Sequence, residues 1–137
     1  MRAMSQGNVE IVRHVFEALA GEDWVALTDL IADDCEIRDF DIPDAHVYRG
    51  PDGLMDWLTA WDTAWESWSA RDLDFRRIDN DRVVAQFRMV ATGRSSGLEM
   101  NREDAVVYIL RDGKICRIEY YNEQQKGPAL EALGLAV

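Results

Sequence analysis

The first half of the chain has the apolar spacing of helices. Over residues 8–20 apolar side chains recur every three or four positions, and the pattern stops at Gly21, a common helix C-cap residue. Asp23 can cap a second helix over residues 24–32, and residues 49–68 predict a third helix with a proline in its first turn. Four tryptophans would then lie along one side of the third helix: Trp57, Trp61, Trp65 and Trp68.

A strand alternation follows the second helix and returns from about residue 71. In residues 34–41, Cys35 and Ile37 share one face, and the same face continues to Asp39 and Asp41. Four more strands follow, joined by short turns, and a short helix is predicted over residues 127–135. This order predicts one α+β domain (residues 1–137), with a strongly curved, mostly antiparallel sheet wrapped around three helices on one side of it.

The first strand carries a carboxylate on its apolar face. Burying an unpaired carboxylate costs several kcal/mol or shifts its pKa, so Asp39 needs an explanation. If it lies at the rim of an apolar pocket, its raised pKa suits proton abstraction from carbon or activation of water. The alternative is a solvated residue at a strand end. Asp41 falls past the predicted end of the strand, and we expect it to face solvent.

Composition excludes several classes of partner. A formal net charge of −11 argues against nucleic acid and against anionic membrane surfaces. No apolar run is long enough for a membrane span, and residues 1–7 lack the apolar core of a signal peptide. Cys35 and Cys116 lie in strand-like apolar contexts with no motif around them. Together these features predict a cytoplasmic protein with reduced thiols.

No cofactor or metal is predicted. Phosphate-loop and dinucleotide motifs are absent from the sequence. Residues 39–46 spell D-x-D-x-x-D-x-H, which invites a divalent cation, but the glycine and distal glutamate of a calcium loop are missing. A solvated acidic turn explains this segment as well. Within it, His46 is either an acid or base near neutral pH or a surface histidine.

Three stretches carry a family resemblance: "GEDWVALTDLIADDCEIRD", "VYRGPDGLMDWLTAW" and "VVYILRDGKICRIEYYNEQQKGPALEALGL". Together they resemble the SnoaL-like and ketosteroid-isomerase-related branch of the nuclear-transport-factor-like superfamily, over nearly the whole chain. The resemblance implies a cone-shaped α+β barrel with an apolar pocket between the helices and the concave sheet. It also implies a homodimer formed through the outer sheet face.

Within that family, Asp39 matches the carboxylate that ketosteroid isomerases use as a base. The tyrosine that donates to the oxyanion falls near Val15 here, and the second acid falls near Ala105, so steroid isomerisation is not expected. Tyr48 occupies a position that is often aromatic, either as a hydroxyl donor at the pocket mouth or as a packing residue.

Strand alternation and the resemblance together give a candidate pocket. A second inward carboxylate, Glu103, could pair with Asp39 as acid and base, the alternative being a sheet-edge acid facing water. The tryptophans and the other apolar residues predict a flat, apolar ligand space. The residues expected to contact a small hydrophobic ligand are Val15, Trp61, Phe87, Met89, Ile118, Tyr120 and Asn122.

Three functions fit this pocket. The first is a cofactor-independent enzyme doing acid–base chemistry on a small hydrophobic substrate, as an isomerase, cyclase or dehydratase. The second is a non-catalytic small-molecule-binding or dimerisation module, favoured by the missing oxyanion donors. The third is an epoxide-hydrolase-like enzyme, which needs a carboxylate–arginine–carboxylate triad; Arg88, on the opposite strand face, counts against it.

Overall fold

A computed structural model of the protein describes residues 2–42 and 47–135. Helices occupy much of the first half and strands most of the second, as the spacing of apolar residues predicts. In chain order the elements are α1 (Arg2–Ala20), α2 (Trp24–Asp29), β1 (Ile31–Asp39), β2 (Tyr48–Arg49), α3 (Gly50–Ala64), β3 (Trp65–Arg77), β4 (Arg82–Gly93), β5 (Glu99–Arg111), β6 (Lys114–Tyr121) and α4 (Glu123–Ala132).

Helix ends in the first half follow local signals. The backbone N–H of Gly21 donates to Glu17 O across 3.0 Å as α1 ends. The side chain of Asp23 then accepts from the backbone N–H of Ala26 at 3.1 Å, which caps α2 as predicted. None of the described helices has the length and apolar character that a membrane span requires.

The third helix is shorter than the predicted 49–68, and that prediction was wrong at its end. The backbone of Trp65 is extended (φ −121°, ψ 134°), and β3 begins there. Residues from Trp65 to Arg77 pair with β4, so their backbone groups find partners in the sheet instead of in a helix. Trp65 and Trp68 therefore belong to the sheet, although the Trp68 ring still packs against Trp61 at 5.7 Å.

The six strands form one sheet in the order β2-β1-β6-β5-β4-β3. All neighbouring pairs are antiparallel except β1 and β6, which are parallel. Register shifts interrupt the pairing of β1 with β6, of β3 with β4 and of β5 with β6, and such bulges bend strands and increase twist. The sheet thus curves around α1, α2 and α3, and the predicted α+β architecture is confirmed.

The last helix corrects two expectations. It starts at Glu123, earlier than predicted, because Asn122 forms a capping box with Gln125. It also lies on the convex face of the sheet, opposite the other helices. There Leu130 packs in a small second core with Val84, Ala105 and Val107. The outer sheet face is therefore partly covered within the same chain.

Candidate functional site

A cavity of about 480 Å³ lies between the three inner helices and the concave face of the sheet. Its walls are mostly aromatic and aliphatic, which suits an apolar ligand. Six of the seven predicted ligand-contact residues line it, and their role in binding stays a prediction: Val15, Trp61, Phe87, Met89, Ile118 and Tyr120.

Two polar groups on buried residues of the lining lack a hydrogen bond within the described part of the chain: the Tyr108 hydroxyl and the Trp61 indole N–H. Both side chains are largely buried, at 4% and 7% exposure. Among the described residues, neither of these two atoms is fully enclosed by protein, so both contact open space. Burial raises the pKa of Tyr108, so its hydroxyl remains a donor at neutral pH.

The carboxylate of β1 is buried beside the cavity. Asp39 is 1% exposed, and Cys35 and Ile37 share its face, as the alternation predicts. Its Oδ2 accepts from the Trp57 indole at 2.8 Å and its Oδ1 from the backbone N–H of Asp41 at 2.9 Å. Asp39 is not among the residues lining the cavity, whereas Trp57 is. The predicted base thus lies one side chain behind the cavity wall.

Burial raises the pKa of Asp39. The hydrogen bonds from Trp57 and from the backbone of Asp41 act in the opposite direction and offset only part of this effect. The shift has the direction that the sequence predicted for a carboxylate against an apolar pocket.

A second buried carboxylate, Asp104, contacts the cavity through a tyrosine. Asp104 is 0% exposed and accepts a hydrogen bond from the Tyr120 hydroxyl at 2.5 Å. Tyr120 lines the cavity. Burial and the charge of Asp104 raise the pKa of Tyr120, so the phenol is protonated at neutral pH. The pair places a proton-accepting carboxylate directly behind a hydroxyl of the cavity wall.

Arg102 holds that carboxylate in place. Its guanidinium donates to both oxygens of Asp104, at 2.7 and 2.9 Å, and to both oxygens of Asp41, at 3.3 and 3.1 Å. Burial lowers the pKa of Arg102, but the two carboxylates outweigh this and raise it. Asp41 was expected to face solvent, and that expectation was wrong: it also accepts from the Asn122 side chain at 2.9 Å.

The prediction that Glu103 points inward was wrong. Glu103 lies on the outer face, where its side chain is half exposed and pairs with Arg88 at 2.9 Å. Its neighbour Asp104 is the inward acid, one residue before Ala105. Alternation in β5 could not decide this, because α4 covers part of the outer face and both faces are apolar. The terminal helix, with its buried Leu130, was the signal that could have shown it.

The other predicted site residues are not part of the cavity lining in the described chain. Asn122 lies outside the lining and caps α4 through its side chain. Tyr48 pairs with Ile37 in the sheet and packs against the core, close to Gly53 of α3, and it does not line this cavity. His46 lies outside the described residues. The packing alternative for Tyr48 therefore agrees with its surroundings.

Nothing in residues 2–42 and 47–135 has the arrangement of a metal centre: no group of three or more histidine, cysteine, aspartate or glutamate side chains could hold an ion. Oxygen ligands are plentiful near Arg102, but its guanidinium already occupies both oxygens of Asp41 and of Asp104.

Comparisons with known proteins give a family and a fold. A family model of the SnoaL-like domain matches residues 12–118. A search of curated proteins found no match. Many solved structures share the fold.

Three of these structures show how far the likeness extends. A candidate polyketide cyclase of Xanthomonas campestris pv. campestris has a TM-score of 0.77 at 19% identity, over 92% of this chain and 97% of that one. TerC, crystallised with polyporic acid, has a TM-score of 0.75 at 18% identity, covering 93% and 97%. An NTF2-like protein of Burkholderia xenovorans LB400 has a TM-score of 0.75 at 23% identity, covering 85% and 89%.

Proposed function

The chain belongs to the SnoaL-like domain family, and on this premise we propose that it is an enzyme of the isomerase, cyclase or dehydratase type. Its substrate is a small, flat, mostly apolar molecule with a carbonyl group. One observation carries the proposal: Tyr120 in the cavity wall donates to the buried carboxylate of Asp104. The reaction class is proton transfer to and from carbon, without a cofactor.

The Tyr120–Asp104 pair acts as a proton relay in this proposal. The Tyr120 oxygen accepts a proton from the carbon next to the substrate carbonyl while its own proton passes to Asp104. The electron pair of the broken C–H bond moves into the carbonyl, which becomes an enolate. In an isomerase, the reverse steps then return the proton to a different carbon. In a cyclase, the enolate carbon forms a new bond before the proton is returned. Arg102 fixes the carboxylate geometry that the relay needs.

The enolate oxygen needs donors, and the cavity offers two. The Tyr108 hydroxyl and the Trp61 indole N–H, which have no hydrogen-bond partner among the described residues, both lie in the lining. Donors that point at a developing negative charge in a dry site lower the barrier most. Asp39 has a positioning role in this proposal: it holds the indole of Trp57, and hence one wall of the cavity, through its hydrogen bond.

Hydrogen exchange in D₂O tests the proposal without knowledge of the natural substrate. We would incubate the protein with 1-tetralone and related bicyclic ketones and follow the loss of the α-proton signal by NMR. Wild-type protein should accelerate exchange for at least one ketone that binds. Tyr120→Phe and Asp104→Asn should each slow it by about 100-fold or more, the usual contribution of a positioned acid or base.

Tyr121→Phe is the matched control, because Tyr121 donates to Glu119 and lies outside the cavity lining. It should exchange like the wild type. If bicyclic ketones bind to the wild type without any accelerated exchange, the enzyme proposal fails and the non-catalytic binding module takes its place.

A second candidate function is epoxide hydrolysis. The sequence argues against this function because Arg88 is predicted on the outer face of its strand, and Arg88 does lie there, paired with Glu103. Arg102, however, pairs with both Asp41 and Asp104, a carboxylate–arginine–carboxylate set that lies behind Tyr120 and outside the cavity lining. Turnover of styrene oxide in ¹⁸O-labelled water, with one labelled oxygen in the diol, would favour it over carbon acid chemistry.

The assembly we propose is a homodimer through the outer face of β4 and β5, away from α4. That surface includes Val90, which is half-buried, and the Arg88–Glu103 pair. Light scattering should give twice the monomer mass for the wild type and the monomer mass for Val90→Glu. Val25→Glu, at a surface position that is 73% exposed on α2, should keep the dimer.

The compartment we propose is the cytoplasm. Cys35 and Cys116 are both free thiols, which a reducing compartment preserves. A fusion to a fluorescent protein, imaged in the native host, would test this location.

A further inference from the structure

The mouth of the cavity differs in charge from its interior. Three exposed lining residues are acids, Glu22, Asp62 and Glu66, and no lysine, arginine or histidine of residues 2–42 and 47–135 lines the cavity. None of these carboxylates belongs to an ion pair within the described ranges 2–42 and 47–135. The entrance therefore repels anions and attracts cations.

Two half-buried indoles line the cavity together with these acids. The Trp68 N–H donates to one oxygen of Asp62 at 2.8 Å, and its ring packs against Trp61. This bond fixes an indole beside a carboxylate. Trp24 is also half-buried and lines the same cavity. An alkylammonium group is attracted both to carboxylates and to the face of an indole, whereas a neutral group lacks both interactions.

An independent feature of the interior points to a ligand. Tyr108 is nine-tenths buried or more, lines the cavity, and has no hydrogen-bond partner for its hydroxyl among the described residues. Leaving a buried hydroxyl unpaired is unfavourable unless something else satisfies it. A ligand oxygen that accepts from the Tyr108 hydroxyl would satisfy it. The cavity therefore offers a hydrogen-bond donor inside and carboxylates at its mouth.

Two guanidinium groups near the mouth limit the size of the charge effect. Arg94 donates to the main-chain oxygens of Asp62 and Trp65, at 2.6 and 3.3 Å. Arg71 donates to the Ser69 hydroxyl at 3.3 Å. Both arginines are exposed and neither lines the cavity. They offset part of the negative potential through solvent, and the advantage of a cation stays modest.

From these contacts we propose that the ligand is an amine: a flat apolar body with an oxygen acceptor inside, and a basic nitrogen at the mouth between the carboxylates and the indoles. This inference rests on the proposed small-molecule function of the cavity and narrows its substrate class. We expect the amine to bind about tenfold more tightly than a neutral ligand with the same apolar body. This is the size expected for a few partly exposed ion pairs and one cation–π contact.

Three probes with one apolar body and different charge test the inference. We would titrate the protein at pH 7 and low salt with 1-naphthylmethylamine, 1-naphthylmethanol and 1-naphthoate, and follow tryptophan fluorescence. The amine should bind about tenfold tighter than the alcohol, and the carboxylate weakest of the three. Equal affinities, or a preference for the carboxylate, would overturn the inference while leaving the proposed function intact. If none of the probes binds, both fail.

A charge-matched pair of variants shows where the selectivity comes from. The mouth variant combines Glu22→Gln, Asp62→Asn and Glu66→Gln. The control variant combines Asp56→Asn, Glu99→Gln and Glu131→Gln, three exposed acids outside the lining and outside the ion pairs of the described chain. The mouth variant should lose the amine's advantage over the alcohol, and the control should keep it. An equal loss in both would mean that net charge alone selects the probe and would overturn the site.

Discussion

The indole N–H of Trp57 donates to Oδ2 of Asp39 across 2.8 Å, with both side chains buried. One residue forms part of the cavity wall, and the other is the carboxylate that the first strand carries on its apolar face. Asp39, which does not line the cavity, can therefore set the position of Trp57, which does. Each partner gives a test of this pairing.

Replacing Trp57 by phenylalanine removes the donor and leaves an oxygen of Asp39 unpaired. Trp61 is a matched control, because it is equally buried on the same helix and its N–H has no partner among the described residues. We expect Trp57→Phe to lower the free energy of unfolding by about 1–3 kcal/mol more than Trp61→Phe does. Urea denaturation at pH 7 measures both. Equal losses would mean that the hydrogen bond contributes nothing beyond indole packing.

The raised pKa of Asp39 predicts how stability depends on pH. Because burial raises it in the folded state, the folded protein holds this proton more tightly than the unfolded chain. The resulting stabilisation is fully present below the unfolded pKa of about 4 and is lost as pH rises through the folded pKa. In Asp39→Asn this proton is absent. The stability advantage of wild type over Asp39→Asn should therefore shrink between pH 4 and pH 7, and an advantage that grows with pH would contradict the shift.

Tyr108→Phe separates binding from stability. The Tyr108 hydroxyl has no partner in the described chain, so its removal should leave the free energy of unfolding unchanged or raise it by up to about 1 kcal/mol. The ketone 2-acetylnaphthalene should lose its hydrogen bond to the Tyr108 hydroxyl and bind about tenfold more weakly to the variant. Binding of 2-ethylnaphthalene, which lacks the oxygen, should not change. Weaker binding of both ligands would indicate a packing role instead.

Adjacent acids on opposite faces of β5 should differ in their contribution to stability. Asp104→Asn weakens the contact with Arg102 and with Tyr120, and we expect a loss of about 2–4 kcal/mol, because a buried charge loses part of its partner. Glu103→Gln affects exposed pairs with Arg88 and Lys126 and should cost less than about 1 kcal/mol. Thermal unfolding of the two variants under one buffer condition compares them, and similar losses would place Asp104 outside any stabilising network.

The two thiols should differ in reactivity. Burial raises the pKa of Cys35 to about 12, and its side chain is inaccessible. Cys116 is only half-buried, although burial raises its pKa too. Iodoacetamide at pH 8 should label Cys116 first, and Cys35 only in denaturant, as peptide mass spectrometry would show. Rapid labelling of Cys35 in the folded protein would contradict its burial.

The strand patterns were predictable where one face is polar. In β1 the apolar positions Cys35 and Ile37 alternate with charged ones, so the position of Asp39 on the inner face followed from the sequence, although its full burial did not. The inward positions of β4 were also predicted correctly, and Phe87 and Met89 face the cavity. One polar face is enough to fix the register of a strand against a core.

The rest of the site could not be predicted from the sequence, because it depends on contacts between segments that are distant in the chain. In β5 both faces are apolar because α4 covers one of them, so the alternation could not separate Asp104 from Glu103. The network around Arg102 joins it to Asp41, far away in the sequence, and no local pattern marks such a pair. Trp65 and Trp68 were assigned to a helix because their spacing also fits helical periodicity, whereas β4 pairs with them.

The parallel pairing of β1 and β6 constrains the order in which the fold can form during synthesis. On one side β1 has the short β2, and on the other it has β6, so that Ile37 lies beside Ile118. The apolar face of β1 thus emerges from the ribosome long before its principal partner strand has been made. Non-local pairings of this kind fold slowly and leave strand edges open to aggregation. The helix α3, which packs against β1 and is synthesised well before β6, is then the available cover for this strand.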